Sequence, residues 1–561
     1  MALSLLAPIA ACAAGSGEKI LFNGKIVTVN KRFDIVEAVA IRDGKFLAVG
    51  TNQQVRAAVG PNAEAIDLGG RTVIPGLIDS HAHMDREGLK FILPSLQGVS
   101  SIEDILAIVA REVKSRKPGE WIVTMPLGDY PEFDRKPELL REKRYPTRWD
   151  LDKASPNNPV YISGRWLYWG GTSPVVSIAN SYALKLAGID KNTKAPYPAL
   201  KIRTNNEGEP NGIFEEPGPL TAIEYSLLRV VPRFTHENRV KGLKDSMQRY
   251  NAVGVTSVYE AHGVAPSIIQ AYKELHDQGQ MTVRSHLVVS PAWDAARGSS
   301  LYDILAGWDS HLSGRGLGDD LLRLSGIFAE VGRSDVTEIR RRDSSYAGWS
   351  SYSVDALLPE ERGSLFDLLL AAAKANVRAH AITFARADIE RHLQVLERVN
   401  QIVPLNGKRF VMEHVTSVSE ANQDKMVKLG VIPTVEPGSI TEVPLQSFVR
   451  KGIPFAIGTD NVPYNPFYAL GVAVSRKSSV TGKMIAPEQR ISPEEALKAL
   501  TINGAYLSYE EDRKGSIEVG KLADMAVLSQ DLLKAPAEDI AGIQVLMTLM
   551  GGDVVYRSKN F

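Results

Sequence analysis

Eight short apolar runs constrain this chain more than any other feature. They are Val73–Ile78, Val255–Tyr259, Val283–Val289, Leu321–Phe328, Val377–Ile382, Phe410–Val415, Val431–Val435 and Phe455–Ile457. Apolar residues at successive positions fit strands covered on both faces, as in parallel sheets flanked by helices. The stretches between most of them have helical period. Residues 364–375 carry a broad apolar face, and Ser492-Pro493-Glu494-Glu495 supplies a cap, a proline at the first helical position and early acids. Eight strands alternating with helices predict an α/β fold, a (β/α)8 TIM-like barrel. About 175 residues separate the first run from the second, far too many for one connection. A large insertion after the first barrel strand is therefore expected, at about 95–250, folded over the face that carries the chemistry.

The two ends read differently. Ile20-Leu21-Phe22, then Asn23-Gly24, then Ile26-Val27-Thr28-Val29 suggests a hairpin, and Ala38–Ile41, Asp43-Gly44 and Phe46–Val49 repeat the pattern. The segment Gly515–Leu528 and Val554-Val555-Tyr556 are strand-like too. Either end alone would leave a half-exposed sheet, so a composite β-sandwich built from both termini is predicted, from 18–70 and 510–561, around a barrel at 71–509.

Residues 2–14 are an apolar run with Ile9-Ala10-Ala11-Cys12, which resembles a secretory signal or a lipoprotein processing site but lacks a basic start. Export to the periplasm or lipid anchoring is the expectation, with a cytoplasmic location the alternative. No other segment has the ~20 apolar residues of a transmembrane helix. The 561 residues carry 65 Lys+Arg against 65 Asp+Glu, a balance that argues against nucleic acid as a partner. The lone Cys12 excludes an intrachain disulfide and a thiolate zinc cluster. Arg340-Arg341-Arg342 reads as solvated surface, and the glycine pairs lack the Lys-Ser/Thr of a P-loop.

A barrel places its chemistry at the C-terminal ends of its strands. The first run ends Asp79-Ser80-His81-Ala82-His83, and residues two apart on a strand share a face. The fifth run contains His380, the sixth His414, and the eighth is followed by Gly458-Thr459-Asp460. Four imidazoles and one carboxylate thus converge on one rim, a ligand set for Zn²⁺ or another divalent metal. His286 reads as a core or rim residue, and His236, His276, His311 and His392 as solvated.

With these residues in place the sequence resembles the amidohydrolase superfamily, and within it the amidohydrolase-3 branch that contains N-substituted formamide deformylase. The resemblance rests on Val73–His83 and Gly515–Leu528, together with Gly119-Glu120-Trp121-Ile122-Val123, Asn180–Gly188 and Gly254-Val255-Thr256-Ser257-Val258. It implies hydrolysis of a C–N bond by metal-activated water. It also implies His81, His83 and His380 as metal ligands, His414 as ligand or carbonyl-polarising group, and Asp460 as ligand and proton shuttle. The branch usually carries a bridging Lys on strand four, and here that position falls on Gly326. One metal ion is therefore expected, with two the alternative. Glu330 and Glu216 are candidate additional ligands; Glu215 and Glu260 are further acids for which an ordinary salt bridge is the simpler reading. The branch also tends to place a His shortly before Asn180, where this chain has Gly170–Val175.

Trp166, Tyr168 and Trp169 are candidate substrate contacts, suited to walling an apolar or aromatic pocket. The expected substrate is a small N-substituted amide with such a group. Hydrolytic deamination of an amino-heterocycle, or opening of a cyclic amide or lactone, is the alternative. A catalytically silent interaction barrel is the alternative of another class. A homo-oligomer is a fold-level expectation only.

Overall fold

The computed structural model describes residues 17–130, 133, 136–164, 174–217, 222–289, 303, 305–307, 311–331, 339, 353–354, 365–383, 386–438, 442–461, 463–478 and 482–561. The apolar leader at 2–14, Trp166, Tyr168 and Trp169, Gly170-Gly171, and Arg340-Arg341-Arg342 lie outside these residues, as does the side chain of Glu330.

The eight apolar runs become eight parallel strands, numbered here β1 to β8: Leu77–Asp79, Val255–Val264, Arg284–Val289, Leu322–Val331, Ala379–Ile382, Val411–Glu413, Ile432–Val435 and Ala456–Ile457. Each pairs with its neighbour in chain order, and the Ser80 amide donates to the Ile457 carbonyl at 3.3 Å across the remaining gap between β1 and β8. Helices fill the intervals. Leu365–Lys374 precedes β5, and Pro493–Ala499 begins with the expected Ser492 capping box, its hydroxyl accepting from the Glu495 amide. Among the described residues no helix is long and apolar enough to cross a membrane.

The first run divides in two. Thr72–Pro75 belongs to a six-stranded sheet with Lys25–Val27, Ile35–Val36, Met525–Leu528, Val545–Met550 and Asp553–Arg557, and only Leu77–Asp79 joins the barrel. The strand's period-two alternation serves both cores, because Val73 packs in the sandwich cluster and Ile74 in the barrel cluster. At the junction a Cβ on Gly76 would lie 2.1 Å from Thr256 Oγ1, so the close passage from sheet to barrel requires glycine there.

The second sandwich sheet orders Lys45–Gly50, Ala38–Arg42, Lys19–Phe22 and Glu64–Asp67. Asp43-Gly44 makes a hairpin, but Asn23-Gly24 does not: the strands flanking it enter different sheets. The reason lies in burial, since Leu21 and Ile26 enter one core cluster from opposite layers. The insertion carries its own five-stranded sheet, Lys201–Thr204, Pro210–Glu216, Val175–Ala179, Val160–Ile162 and Ile122–Thr124, over two apolar clusters. It reaches the barrel mouth through Met125 and Phe133, which pack on Leu89 just after the short helix Met84–Glu87.

Candidate metal centre

The end of β1 is tied to the end of β8. Asp79 accepts from the Thr459 hydroxyl at 2.5 Å, the Thr459 amide at 2.9 Å and the His81 amide at 3.2 Å. Burial pushes its carboxyl up to about 7 against those bonds. The Asp460 amide donates to the His81 carbonyl at 2.8 Å, and Asn461 grips the His83 carbonyl through Nδ2 at 2.9 Å. Three residues here, His414, Asp460 and Asn461, have φ of 51–55°, the left-handed region that L-residues rarely adopt. Such backbone costs on the order of 1–2 kcal/mol per residue, and the surrounding hydrogen bonds hold it.

These constraints gather three imidazoles around one carboxylate. Asp460 Oδ1 lies 2.8 Å from His83 Nε2 and 3.7 Å from His81 Nε2, while Oδ2 lies 3.9 Å from His414 Nε2. The Nε2 atoms of His414 and His81 are 3.1 Å apart. Four tetrahedral donors about 2.0–2.1 Å from a zinc ion would be spaced by roughly 3.3 Å, and the observed spacings bracket that value. Burial holds His81 and His83 well below the usual imidazole range and takes His414 down to about 3. Burial thus favours the neutral form of all three rings, which has a lone pair to offer. Burial drives Asp460 upward, opposed by Arg86 and Lys90 and reinforced by Asp79. Neutral nitrogen donors beside a carboxylate that ionises at a cost are the chemistry a divalent cation satisfies, so the residues fit a metal.

His380 lies on the same barrel face but outside this group. Its Nε2 is 2.9 Å from the Tyr259 hydroxyl, and its Nδ1 is 3.3 Å from Glu413 Oε1. The Tyr259 hydroxyl also accepts from Arg378, which reaches Ser325 Oγ at 3.0 Å. Gly326, with φ of 78°, brings β4 close: a Cβ there would lie 3.0 Å from His380 Nε2. Of Glu330 only backbone pairing is described, with Ser353 and Ile382. Glu216 belongs to the insertion, where it accepts from Tyr197 and from the Ala222 amide, and Glu215 pairs with Arg203 at 2.8 Å. Among the described residues, neither enters a group of metal-ligand spacing.

Other acids do approach. His83, Asp85 and Glu260 form one such group and His81, His414 and Glu436 another. Glu413 and Glu436, at the ends of β6 and β7, were not singled out in the sequence; the position of Glu436 directly after Val435 was the available signal. Tyr259, Arg378 and Asn461 carried no such signal. Of the other histidines, His286 stacks on Tyr259 with centroids 4.6 Å apart, and His236 and His276 pair with Glu274 and Asp319. His392 departs from the solvated expectation: it is buried in helix Arg386–Ile402, where burial lowers it to about 3.

The amidohydrolase family, in its amidohydrolase-3 form, matches residues 64–556. N-substituted formamide deformylase of Arthrobacter pascens is 25% identical, the alignment covering 96% of this chain and 98% of the deformylase. Protein LONG AFTER FAR-RED 3 of Arabidopsis thaliana is 26% identical over 96% of this chain and 91% of its own length. Among solved structures, an uncharacterized metal-dependent hydrolase of Pyrococcus furiosus superposes with a TM-score of 0.67 at 20% identity, covering 92% of this chain and all of that one. An adenosine deaminase of Xanthomonas campestris with bound zinc gives 0.52 at 14% identity, covering 96% and 92%, which is likeness of fold alone. With that match spanning barrel, insertion and sandwich, and with imidazoles and a carboxylate gathered at the barrel mouth, the chain belongs to the amidohydrolase family and is a metal-dependent hydrolase of carbon–nitrogen bonds.

Proposed function

We propose that the chain hydrolyses the amide bond of a small N-substituted amide bearing an apolar or aromatic group. The observation that carries this reading is Asp460 facing His83, His81 and His414 within 2.8–3.9 Å. His81, His83, His414 and Asp460 would hold a divalent cation, with zinc the first expectation. Bound there, such an ion lowers the pKa of water towards ~7 and polarises a carbonyl.

The rest falls to the chain. Asp460 takes the proton of the attacking water and returns it to the leaving nitrogen, so that the amine departs neutral. Its environment suits this exchange, because burial and Asp79 favour the protonated form while Arg86 and Lys90 favour the ionised one. His414 Nε2 faces the same space with its lone pair, so it would act there by helping to hold the cation, whose charge would steady the carbonyl oxygen as it gains charge. Asn461, Lys90 and Tyr130 all donate to Glu87, at 2.9, 2.7 and 3.0 Å, which fixes the wall beside His83. The apolar cluster of Leu89, Met125 and Phe133, with Tyr130 against it, supports an apolar group on the substrate. The likeness to the Arthrobacter N-substituted formamide deformylase supports the amide class.

Purified protein assayed against N-formyl and N-acyl aromatic amines, cyclic imides, lactones and amino-heterocycles tests the proposal. Amine and carboxylic acid release, abolished by chelation and restored by zinc, is expected. Turnover confined to amino-heterocycles with ammonia release, or to cyclic imides, would overturn it. In the same assay Trp166→Ala and Tyr168→Ala test the proposed substrate contacts: both should raise KM for the aromatic amides.

A further inference from the structure

Behind the imidazole group two carboxylates alternate with three rings. Glu413 Oε1 lies 3.3 Å from His380 Nδ1, and its other oxygen, Oε2, lies 4.0 Å from His81 Nδ1. Glu436 repeats the pattern: Oε1 is 3.8 Å from His81 Nδ1 and Oε2 is 3.8 Å from His414 Nδ1. The order is His380, Glu413, His81, Glu436, His414, with each carboxylate spanning two neighbouring rings and using a different oxygen for each. Both acids are fully enclosed, at 0% and 1% exposure. Among the described residues neither oxygen of Glu413 has a hydrogen-bond partner, although a buried acceptor is costly to leave so. Burial and the neighbouring carboxylates Glu436 and Asp460 drive the Glu413 carboxyl upward. Among the described residues, an ordinary salt bridge to Arg or Lys therefore does not explain Glu413. Asp85, by contrast, has Arg86 and Arg239 beside it, which accounts for that acid without any ligand.

We infer that Glu413 and Glu436 are positioning residues that accept the Nδ1–H groups of His380, His81 and His414, directly or through one water, and so turn the Nε2 atoms of His81 and His414 towards the metal space. A ring whose Nδ1–H points at a carboxylate is fixed in one tautomer and is the more basic ligand at Nε2. Separations of 3.8–4.0 Å are those of rings free to tighten on loading or to be bridged by water. For His380 the same acceptor acts with Tyr259, which engages the opposite nitrogen, so that ring is held from both sides.

The test is zinc affinity of the full-length protein, measured by chelator competition after removal of metal, with the melting temperature of the metal-free form measured alongside. Glu413→Ala and Glu436→Ala should weaken zinc binding by roughly 10–100-fold, the usual effect of removing such a partner. Glu413→Gln and Glu436→Gln keep an acceptor oxygen and should lie between those variants and the parent. The metal-free Glu413→Gln variant should melt no lower than the parent, because it removes the charge of a fully buried carboxyl whose charged neighbours are other carboxylates. Parent-like zinc affinity in both Ala variants would overturn the inference, as would Gln variants no better than Ala. Loss of a whole equivalent of zinc from either variant, with the remaining affinity unchanged, would make that residue a ligand and also overturn it. If an Ala variant does not fold, the Gln comparison decides, and affinity equal to the parent's is the refuting result. The inference rests on the imidazole group holding a metal; a parent protein that takes up no zinc would sink that reading, whereas a zinc-binding parent with unaffected variants would sink only this one.

Discussion

Gly458 touches His81 so closely that a Cβ at 458 would lie 2.3 Å from the His81 Cβ and 2.7 Å from its amide nitrogen. No flexible side-chain end lies between them to give way, so any larger residue must push β8 from β1. The same contact positions Asp460, whose amide donates to the His81 carbonyl two residues later. Gly458→Ala is expected to cost ~1–3 kcal/mol of stability by overpacking and to disturb the imidazole spacing. Zinc content at equal added metal should fall more than tenfold while the fold persists by circular dichroism. Unchanged zinc content would mean that His81 has slack the contact does not suggest.

Asp460→Asn separates holding a metal from moving a proton. The amide keeps an oxygen donor of the same reach, but it cannot take the water's proton and return it. Metal content should stay close to the parent's while kcat falls by about 10²–10⁴, the range of a lost general acid–base group. A variant that retains parent kcat would remove Asp460 from the proton path. His83→Ala, in contrast, deletes the ring 2.8 Å from Asp460 and should lose metal and activity together.

The sequence made the barrel legible because each strand is apolar on both faces, a pattern that survives without any knowledge of pairing. Likewise, strand-end positions named His81, His83, His414 and Asp460, since the barrel rule fixes where chemistry sits. The separation of His380 was hidden: it depends on a Tyr259 hydroxyl from three strands away and on Gly326 letting β4 approach, neither of which spacing reveals. Asn23-Gly24 misled for a related reason. Turn chemistry sets a local reversal, whereas the sheet each strand joins is decided by which core can bury Leu21 and Ile26. Beyond the strand-end place of Glu436, nothing local in the sequence sets Glu413 and Glu436 apart, because the rings they face come from separate stretches of the chain.

Tyr259 tests whether His380 is held away from the metal group by design of the barrel interior. Its hydroxyl accepts from Arg378 and contacts His380 Nε2, and Arg378 is itself 1% exposed. Tyr259→Phe removes one acceptor from a buried guanidinium and one partner from a buried ring. A cost of about 1–3 kcal/mol follows, seen as a lower urea midpoint with unchanged slope. An unmoved midpoint would show that Ser325 and water satisfy Arg378 without the tyrosine.

Glu216 makes a pH prediction away from the metal centre. Burial and the nearby charge of Glu224 raise its carboxyl to about 7, against the bonds from Ala222 and Tyr197. A carboxyl whose folded value exceeds its unfolded value, ~4.3, contributes stability that is complete below that lower figure and is lost as pH rises through the higher one. The insertion should therefore weaken between about pH 5 and 8, by up to about 3 kcal/mol from this group. Glu216→Gln keeps an acceptor for Tyr197 and Ala222 but never ionises. Its urea midpoint should vary less with pH over that interval than the parent's and exceed it at pH 8. If the variant instead tracks the parent across the whole interval, the ionised carboxylate is accommodated in the fold and the acid is not the source of the weakening.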